Sequence, residues 1–193
     1  MLLHCNPDQT IFIVGTGPYA YELKSWIDKD VSVSIELLHH DNFNSVPHGS
    51  QIILGFQHLE YRKNFLSKHT LTNYLWPTFI HPSAIISNRQ TMPIGVVINP
   101  QAVIGYGVTL ENFCNIGILT KIGHNSSLGK NNVVSPGTMI GGSTVVGENV
   151  FFGQSCSIKD QINICNDIFF AMNSVVSKNI NLPGKYIGNK KVN

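Results

Sequence analysis

The stretch that decides the fold is IGILTKIGHNSSLGKNNVVSPGTMIG, residues 116–141, in which every sixth residue is large and apolar. An amphipathic helix repeats its apolar residues at steps of three and four, and a half-buried strand repeats them at steps of two, so neither explains a period of six. A parallel β-helix does explain it, because each six-residue edge turns one large side chain inward and three edges close one coil. The period continues in both directions without an insertion, and its column is Ile80, Ile86, Met92, Ile98, Ile104, Leu110, Ile116, Ile122, Leu128, Val134, Ile140, Val146, Phe152, Ile158, Ile164, Phe170 and Val176.

Two neighbouring columns of the repeat support the same fold. Glycine directly follows the apolar residue in many hexads, and we expect it to supply the positive φ of a sharp corner. These glycines are Gly105, Gly117, Gly123, Gly129, Gly141, Gly147 and Gly153. Four places after the apolar residue the chain mostly carries small or β-branched side chains, which would fill the gaps between large interior residues.

The composition fits a solenoid and excludes several other classes of protein. The chain has 193 residues, of which 42% are hydrophobic and only 12% charged. No run approaches the ~18 apolar residues of a membrane span, and the N-terminus lacks a basic region followed by an apolar one. We therefore expect a cytoplasmic protein. The four cysteines (Cys5, Cys114, Cys156 and Cys165) have no metal-type spacing, and the second and third fall in the small-residue column as reduced core residues.

The charges are divided unevenly along the chain. Residues 1–78 hold five Lys and Arg against seven Asp and Glu, whereas residues 79–193 hold eight against four. The excess of basic residues in the second part is too small and too scattered for nucleic-acid binding. It would favour a small polyanion along the coils.

The N-terminal part reads as alternating strands and helices. A buried strand at 11–14 leads into a Gly-rich loop and a helix that begins near Pro18, because Pro is favoured in a first turn. The predicted elements are strands at 11–14, 31–38, 51–55 and 73–76 and helices at 18–28 and 59–68, the first helix presenting Tyr19, Leu23, Trp26 and Ile27. This order is half of an open, Rossmann-like α/β sheet.

The Gly-rich loop is the first candidate site. Gly15-Thr16-Gly17-Pro18-Tyr19-Ala20 has the Gly-x-Gly-x-x-Ala pattern between a buried strand and a helix, which is the setting for phosphate binding at a helix N-terminus. A dinucleotide would need a second half-sheet, and a tight turn with no ligand is the alternative. We favour a nucleotide diphosphate held by Gly15, Thr16, Gly17 and Pro18, with the ribose or base reached by His39, His40, Asp41, Gly55, Phe56 and Gln57.

The second candidate is the one histidine in the middle of the coils. His124 follows Ile122 and Gly123 and therefore occupies an outward or corner position rather than the interior column. A lone histidine is often only a surface residue. The other outward positions carry Asn, Ser, Gly and Lys, so an imidazole stands out, and it is the side chain best suited to accept a proton near neutral pH.

Taken together, the motifs resemble a known family. The Gly-x-Gly-x-x-Ala half-sheet is followed by Phe79-Ile80-His81-Pro82-Ser83-Ala84, by hexapeptides with Ile122-Gly123-His124-Asn125, by Val134-Ser135-Pro136-Gly137 and by Ile187-Gly188-Asn189. This combination is similar to the sugar O-/N-acyltransferases with a left-handed β-helix, of the kind that acetylate UDP-4-amino sugars in bacillosamine synthesis or perosamine nucleotides. The resemblance covers essentially the whole chain.

The resemblance implies an activity and a domain layout. Members are homotrimers that bind acetyl-CoA, without a metal, in the groove between adjacent β-helices. The histidine matching His124, oriented by the residue matching Asn125, takes a proton from the sugar amine as the amine attacks the thioester directly. Residues 1–78 would bind a UDP- or dTDP-linked amino sugar, 79–178 would form the left-handed β-helix and 179–193 a tail. The residues implied for coenzyme A are Gly142, Gly153, Ser155, Ala171, Lys178, Gly188 and Lys190.

The sequence departs from the family's pattern at three places. The family usually has Asp or Glu beside the catalytic histidine, where this chain has Asn125. A second histidine is common at the position of Val133, and the usual Gly-Asn-Pro-Ala ending is here Gly188-Asn189-Lys190-Lys191. These departures concern the acceptor chemistry more than the acetyl donor.

Two other functions stay open on the sequence alone. One is O-acetylation of a sugar such as a sialic acid. The other is a trimeric β-helix that binds a partner or ligand without catalysis. A carbonic-anhydrase-like metal site is disfavoured, because it needs three histidines per metal and the coils hold only His81 and His124.

Overall fold

The computed structural model describes residues 1–30, 33–87 and 92–192. The N-terminal part is a parallel sheet flanked by two helices, preceded by one short strand. Its elements are β1 (Leu2–Leu3), β2 (Ile11–Val14), α1 (Pro18–Asp30), β3 (Ile35–Leu38), β4 (Gln51–Leu54) and α2 (Leu59–Lys68). The sheet has the parallel order β3-β2-β4, so the carboxyl ends of its three strands meet at one edge.

The predicted elements of this part agree with the structure except at the ends of α1, β3 and β4 and at one predicted strand. Strand β4 ends at Leu54, one residue before its predicted end. Strand β2 and helix α2 have the predicted bounds, and α1 extends two residues further. Strand β3 begins at Ile35, and the predicted start at residues 31 and 32 lies outside the described residues. Residues 73–76 do not form the predicted strand. The indole of Trp76 donates to the Leu71 carbonyl at 2.8 Å across a tight 3₁₀ turn, which leaves only one bridge, between Leu75 and Gln51. The description as half of a Rossmann fold stays a prediction.

The rest of the chain is a stack of very short strands. In chain order these are β5 (Thr78–Ile80), β6 (Ile85–Ile86), β7 (Val97–Ile98), β8 (Val103–Ile104), β9 (Thr109–Leu110), β10 (Asn115–Ile116), β11 (Lys121–Ile122), β12 (Ser127–Leu128), β13 (Val133–Val134), β14 (Met139–Ile140), β15 (Val145–Val146), β16 (Phe151–Phe152), β17 (Ser157–Ile158), β18 (Asn163–Ile164), β19 (Ile168–Phe170) and β20 (Val175–Val176).

These strands form three parallel sheets, which we call the first, second and third faces. The first face contains β5, β7, β10, β13, β16 and β19, the second β6, β8, β11, β14, β17 and β20, and the third β9, β12, β15 and β18. Ile116 pairs with Ile98 in the preceding coil and with Val134 in the following one, so one coil takes three six-residue edges. The result is a parallel β-solenoid of about six turns that matches a left-handed β-helix.

The apolar column fills the interior of the solenoid, as predicted. Its members belong to one continuous hydrophobic cluster, in which Ile86 and Leu110 are only partly buried. Cys114 and Cys156 lie in the same cluster as buried free thiols, also as predicted. At the amino end of the first face β1 pairs antiparallel with β5.

The C-terminal segment, expected to be a short tail, contains two strands. Residues 184–187 and 190–192 form β21 (Gly184–Ile187) and β22 (Lys190–Val192), which extend the first face beyond β19. Strand β21 runs parallel to β19, and β22 returns antiparallel. Tyr186 is buried over the ring of Phe170 at a centroid distance of 5.9 Å, so the segment covers the end of the hydrophobic interior.

The glycine column has a different physical role from the one predicted. Positive φ occurs two residues later, at non-glycine corner residues such as Asn125 (56°), Asn131 (58°) and Asn149 (56°), where a short polar side chain tolerates the left-handed region. The glycines are needed because the coils approach closely. A Cβ on Gly117 would lie 2.5 Å from the Val134 carbonyl oxygen in the next coil.

The N-terminal part packs on the first face of the solenoid. One hydrophobic cluster joins Ile13 and Leu23 to Phe79 and Val97, and another joins Phe65 and several neighbours to Phe113. The two parts therefore share buried cores, which fixes the sheet edge of β2, β3 and β4 relative to the coils. No helix among the described residues is long and apolar enough to cross a membrane.

Candidate active site

A cleft of about 780 Å³ opens at the carboxyl edge of the N-terminal sheet. Each strand of the sheet sends a loop into it: Gly15 follows β2, His39 follows β3 and Gly55 follows β4. We call it the loop cleft. It brings together all the residues predicted for the nucleotide and adds others from α2 and its surroundings that sequence reasoning missed. The lining is Gly15, Thr16, Gly17, Pro18, Tyr19, His39, His40, Asp41, Asn44, Gly55, Phe56, Gln57, His58, Tyr61, Asn64, Phe65, Lys68 and His69.

The two glycines of the loop have different roles. Gly15 has φ 137°, and a Cβ there would lie 2.8 Å from the Gly55 carbonyl oxygen, so the turn after β2 requires glycine. A Cβ on Gly17 would have no atom within 4 Å, and this residue is exposed at the start of α1. The Gly17 carbonyl accepts the Ala20 amide at 2.9 Å and starts the helix. The loop thus leaves open space beside the N-terminus of a 13-residue helix, where an anion is stabilised.

Three polar side chains stand together on the wall of the loop cleft formed after β3. The rings of His39 and His40 lie 4.3 Å apart, and each approaches a carboxylate oxygen of Asp41 at 3.4 Å. All three side chains are exposed, and their potential ligand atoms lie within 4.8 Å of one another. They are the one such group of potential metal ligands among the described residues. Their position also suits hydrogen bonding to a ribose.

A second cleft of about 960 Å³ lies between the beginning of α2 and the later coils. We call it the coil cleft. Gln57 and His58 line both clefts, so the two adjoin at the start of α2. The remaining lining is Leu59, Glu60, Lys63, Ser135, Pro136, Phe151, Gly153, Gln154, Asp167, Ile168, Phe169, Met172, Gly184 and Lys185. Of the residues predicted for a site, Gln57 and Gly153 line this cleft, but the sequence did not predict that they meet, because the two walls come from distant parts of the chain.

A buried polar bridge attaches the loop cleft to the solenoid. The Tyr19 hydroxyl donates to Asn99 Oδ1 at 3.2 Å and accepts from Asn115 Nδ2 at 2.7 Å. Gln57 Nε2 donates to Asn115 Oδ1 at 3.2 Å. Burial raises the pKa of the Tyr19 phenol, and its hydrogen bonds to Asn115 and Asn99 oppose that shift. These links were not visible in the sequence, because they join positions up to 96 residues apart.

Arg62 is the other buried connection, and sequence reasoning also missed it. Its Nε donates to Asn131 Oδ1 at 2.9 Å, its Nη1 donates to the Phe56 carbonyl at 3.1 Å, and its Nη2 donates to the Phe113 carbonyl. The side chain is 1% exposed. Burial lowers the pKa of this guanidinium to about 10, although it stays charged at neutral pH. Because Phe56 lines the loop cleft, Arg62 fixes one wall of the cleft to the coils.

His124 lies elsewhere, at the corner between the second and third faces. It is exposed and follows β11, whereas both clefts lie on the side of the first face. It therefore lines neither cleft within one chain. Its ring stands over Gly142 of the next coil, where a Cβ would come within 2.9 Å of Nε2. Among the described residues no carboxylate comes within ion-pair distance of His124.

Asn125, the predicted partner of His124, has a geometric reason for its identity. It occupies the positive-φ corner position, with φ 56°, and its Nδ2 lies 3.4 Å from His124 Nδ1. The side-chain amide also lies over Gly107 of the preceding coil. An amide nitrogen that donates to Nδ1 makes Nδ1 the acceptor and puts the proton of the neutral ring on Nε2. The amide turned the other way, with Oδ1 accepting from Nδ1–H, leaves Nε2 as the acceptor.

The residues predicted for coenzyme A do not meet in one place within one chain. Gly142 and Lys178 lie on the corner of His124, between the second and third faces. The corner between the first and second faces holds Gly153, Ser155 and Ala171, of which Gly153 lines the coil cleft. The C-terminal hairpin holds Gly188 and Lys190. Two hydrogen bonds join that hairpin to the last coil. The Lys178 amide donates to Asn189 Oδ1 at 3.2 Å, and the Gly188 amide donates to Ser174 Oγ at 3.0 Å.

Comparisons with known proteins agree with the fold over the full length. No protein-family model and no curated protein matches the chain. The chain is similar to the solved acetyltransferase domain of PglB from Neisseria gonorrhoeae FA1090, with 17% identity, 96% of this chain and 100% of that chain covered and a TM-score of 0.81. The same domain has been solved in complex with acetyl coenzyme A.

Two further solved structures match equally broadly. PerB from Caulobacter crescentus, in complex with CoA and GDP-perosamine, has 17% identity, covers 95% of this chain and 97% of its own, and gives a TM-score of 0.77. WeeI from Acinetobacter baumannii AYE has 15% identity, covers 95% and 99%, and gives 0.81. At these identities the likeness shows a shared fold, and it includes both the N-terminal sheet and the solenoid.

Proposed function

We propose that the chain is an acetyl-CoA-dependent N-acetyltransferase that acts on a nucleotide-linked amino sugar. The observation that carries this proposal is that the fold likeness to amino-sugar acetyltransferases extends over 95–96% of the chain. The match is therefore not limited to the solenoid, which many unrelated proteins share. The neighbours' complexes contain the two substrates that the proposal requires, a coenzyme A thioester and a nucleotide-linked sugar.

The loop cleft is the site that we assign to the nucleotide. Gly17 and the start of α1 would receive the diphosphate, because open space lies beside a helix N-terminus there, which favours an anion. His40, Asp41 and Gln57 would contact the ribose or base. None of these groups is diagnostic for one base, and the experiment below decides among UDP, dTDP and GDP.

The proposed chemistry is a direct transfer. The amine of the sugar attacks the thioester carbonyl, a C–N bond forms, the C–S bond breaks and the coenzyme A thiolate leaves. The His124 imidazole takes the proton that the amine loses. For Nε2 to accept it, the Asn125 amide turns Oδ1 toward Nδ1–H. Aligning the two substrates supplies up to ~7–11 kcal/mol of barrier reduction in the best intramolecular reactions, and a general base adds roughly a hundred- to ten-thousand-fold.

A homotrimer is part of the proposal. His124 of one chain stands on a corner away from that chain's own clefts. We therefore assign each active site to two subunits, with the loop cleft from one and the His124 corner from its neighbour. Acetyl-CoA would lie in the groove between them, with Gly142, Lys178, Gly153, Ser155, Ala171, Gly188 and Lys190 divided between its two walls. We infer a left-handed coil and a reaction in the cytoplasm.

The experiment that tests this function is a panel of candidate substrates. Acetyl-CoA, UDP, dTDP, GDP and the corresponding 4-amino-sugar nucleotides, including GDP-perosamine, are added singly to the protein. A ligand that binds the folded state raises the melting temperature. We expect acetyl-CoA and one nucleotide series to do so, and mass spectrometry then to detect the N-acetylated sugar. The absence of product with all of the amino sugars, or product only on a hydroxyl acceptor, would refute the N-acetyltransferase.

A further inference from the structure

The outward-facing row of the first face shows where the N-terminal part stops covering the solenoid. Paired residues of successive strands form this row, which runs Phe79, Val97, Asn115, Val133, Phe151, Phe169 and Lys185. The first four are covered, with exposures of 0%, 2%, 0% and 0%. Phe151 is partly exposed, Phe169 is 40% exposed and Lys185 is exposed. The cover therefore ends immediately before the two phenylalanines.

These two phenylalanines form a flat apolar platform. Their rings are stacked at a centroid distance of 4.8 Å with an interplanar angle of 6°. Both line the coil cleft. Single exposed apolar residues need no explanation, but a stacked aromatic pair on the floor of a concave cleft indicates a surface that a ligand covers. The outward positions of the described strands in the second and third faces carry no aromatic residue.

The surroundings of the platform are polar and in part fixed. Lys63 Nζ of α2 bonds Asp167 Oδ1 at 2.8 Å and closes one side of the cleft. Gln57, held by Asn115 at 3.2 Å, and His58 stand between the platform and the loop cleft. Because the two clefts adjoin at Gln57 and His58, a molecule with its diphosphate at Gly17 would extend along the start of α2 toward the platform. The part of a nucleotide sugar that lies beyond the diphosphate is the sugar ring.

We propose that Phe151 and Phe169 form the subsite for the sugar ring of the nucleotide-linked substrate, with Gln57 and His58 marking the passage from the diphosphate to the ring. This inference rests on the proposed function and names the part of the site that selects the sugar. One face of a pyranose presents C–H groups, which pack on an aromatic surface, while its hydroxyl and amino groups remain at the polar rim. The platform itself offers no hydrogen bond, so the subsite favours deoxy amino sugars over fully hydroxylated ones.

The test separates the sugar from the nucleotide. Titration calorimetry measures the dissociation constants of UDP, dTDP and GDP and of the matching 4-amino-4,6-dideoxyhexose nucleotides for wild type, Phe169→Ala, Phe169→Tyr and Val175→Ala. Val175 is a matched control, because it is an exposed outward residue on the second face. We expect Phe169→Ala to weaken the nucleotide sugar about tenfold, the size of one aromatic contact, and the free nucleotide less than about twofold. Phe169→Tyr keeps the ring and should bind as wild type does.

Several results would overturn the subsite, and they are distinguishable from failure of the proposed function. Equal weakening of nucleotide and nucleotide sugar by Phe169→Ala, or no weakening of either, refutes the platform while leaving acetyl transfer intact in wild type. Dissociation of the oligomer by Phe169→Ala, measured by light scattering, would show that a second copy of the chain covers the platform. If wild type binds none of the three nucleotides, both the assignment of the nucleotide site and the sugar subsite are refuted.

A measurement on the unmodified protein covers the case in which Phe169→Ala does not fold. Saturation-transfer difference NMR with irradiation of aromatic side-chain protons reports which ligand protons lie against aromatic rings. We expect strong transfer to the sugar C–H protons of the bound 4-amino-sugar nucleotide. Transfer confined to the base and ribose would place the sugar away from the platform and refute the subsite.

Discussion

Arg62 Nε donates to Asn131 Oδ1 at 2.9 Å, and this bond joins a helix of the N-terminal part to a corner of the solenoid 69 residues later in the chain. Asn131 has φ 58° and in turn donates from Nδ2 to Asn149 Oδ1 at 2.9 Å, one coil further on. The guanidinium therefore binds a ladder of corner amides and, through the Phe56 carbonyl, the wall of the loop cleft. Its three acceptors are neutral.

Replacing Arg62 by Met should destabilise the protein. The substitution leaves the Phe56 and Phe113 carbonyls and the Asn131 amide oxygen without their donor in a buried place, and we expect a loss of about 2–3 kcal/mol in the free energy of unfolding. Urea denaturation checks this value. Lys68→Met, in the same helix but exposed, is the control and should change the free energy by less than about 0.5 kcal/mol. Equal effects of the two substitutions would contradict the account.

The two glycines of the loop should respond differently to substitution. Gly17→Val places its side chain in the open space of the loop cleft, so we expect an unchanged melting temperature, weaker binding of the nucleotide sugar and unchanged binding of acetyl-CoA. Gly15→Ala forces a Cβ against the Gly55 carbonyl at positive φ and should lower the melting temperature. Calorimetric titration and thermal melts measure both. Equal loss of both substrates in Gly17→Val would argue against separate sites.

The solenoid could be predicted from the sequence because its signal is local and repeated. A residue such as Ile116 is large and apolar for the same reason as Ile122 and Leu128, so the period alone reveals the architecture. The predicted reason for the glycine column, a positive φ at the corners, was wrong. Close approach of backbones between coils depends on residues 18 positions apart, as for Gly117 and Ser135, and the sequence pattern does not separate that need from a need for positive φ.

The candidate site was predictable only where it is built from loops that directly follow strands. Gly15, His40 and Gly55 come together because the strands before them are parallel neighbours, so the loop cleft could be predicted. The coil cleft joins His58 to Phe169, which are 111 positions apart and share no motif. No periodicity records such a meeting, because it depends on how the N-terminal part docks on the first face.

The buried thiols give a prediction about pH. Burial raises the pKa of Cys114 to about 11 and also raises that of Cys156. An unfolded thiol titrates near 8.5, so the stabilising difference is fully present below that pH and is lost as the pH rises through about 11. The free energy of unfolding of wild type should therefore fall between pH 8.5 and 11, and Cys114→Ala should reduce that slope. An unchanged slope would contradict the assignment.

Removal of the His124 imidazole should affect turnover far more than binding. If Nε2 accepts the amine proton, His124→Ala lowers turnover by roughly two or more orders of magnitude and leaves acetyl-CoA affinity largely unchanged. Steady-state kinetics and calorimetry measure the two quantities. His48→Ala, an exposed histidine of the N-terminal part that lines neither cleft, is the control and should keep full turnover. Near wild-type turnover of His124→Ala would remove this residue from the mechanism.

Mixed oligomers test whether the site is shared between subunits. His124→Ala and Gly17→Val are each expected to have low activity alone, the first from slow proton transfer and the second from weak binding of the nucleotide sugar. If the loop cleft of one chain works with His124 of its neighbour, a mixed trimer contains some sites with an intact loop from one variant and an intact imidazole from the other. Each trimer that contains both variants has one such site among its three, so co-purified mixed oligomers should show roughly a third of wild-type activity.

The contrary result of the mixing experiment is equally clear. If both groups of one site came from the same chain, every chain in the mixture would carry one defect and no activity would return. The control is a mixture of His124→Ala with the double variant Gly17→Val/His124→Ala, which must stay inactive under either arrangement. Activity is measured as acetylated product on co-purified oligomers carrying two different affinity tags, so that only mixed oligomers contribute. Recovery there requires that His124 reaches a loop cleft that belongs to another copy of the chain.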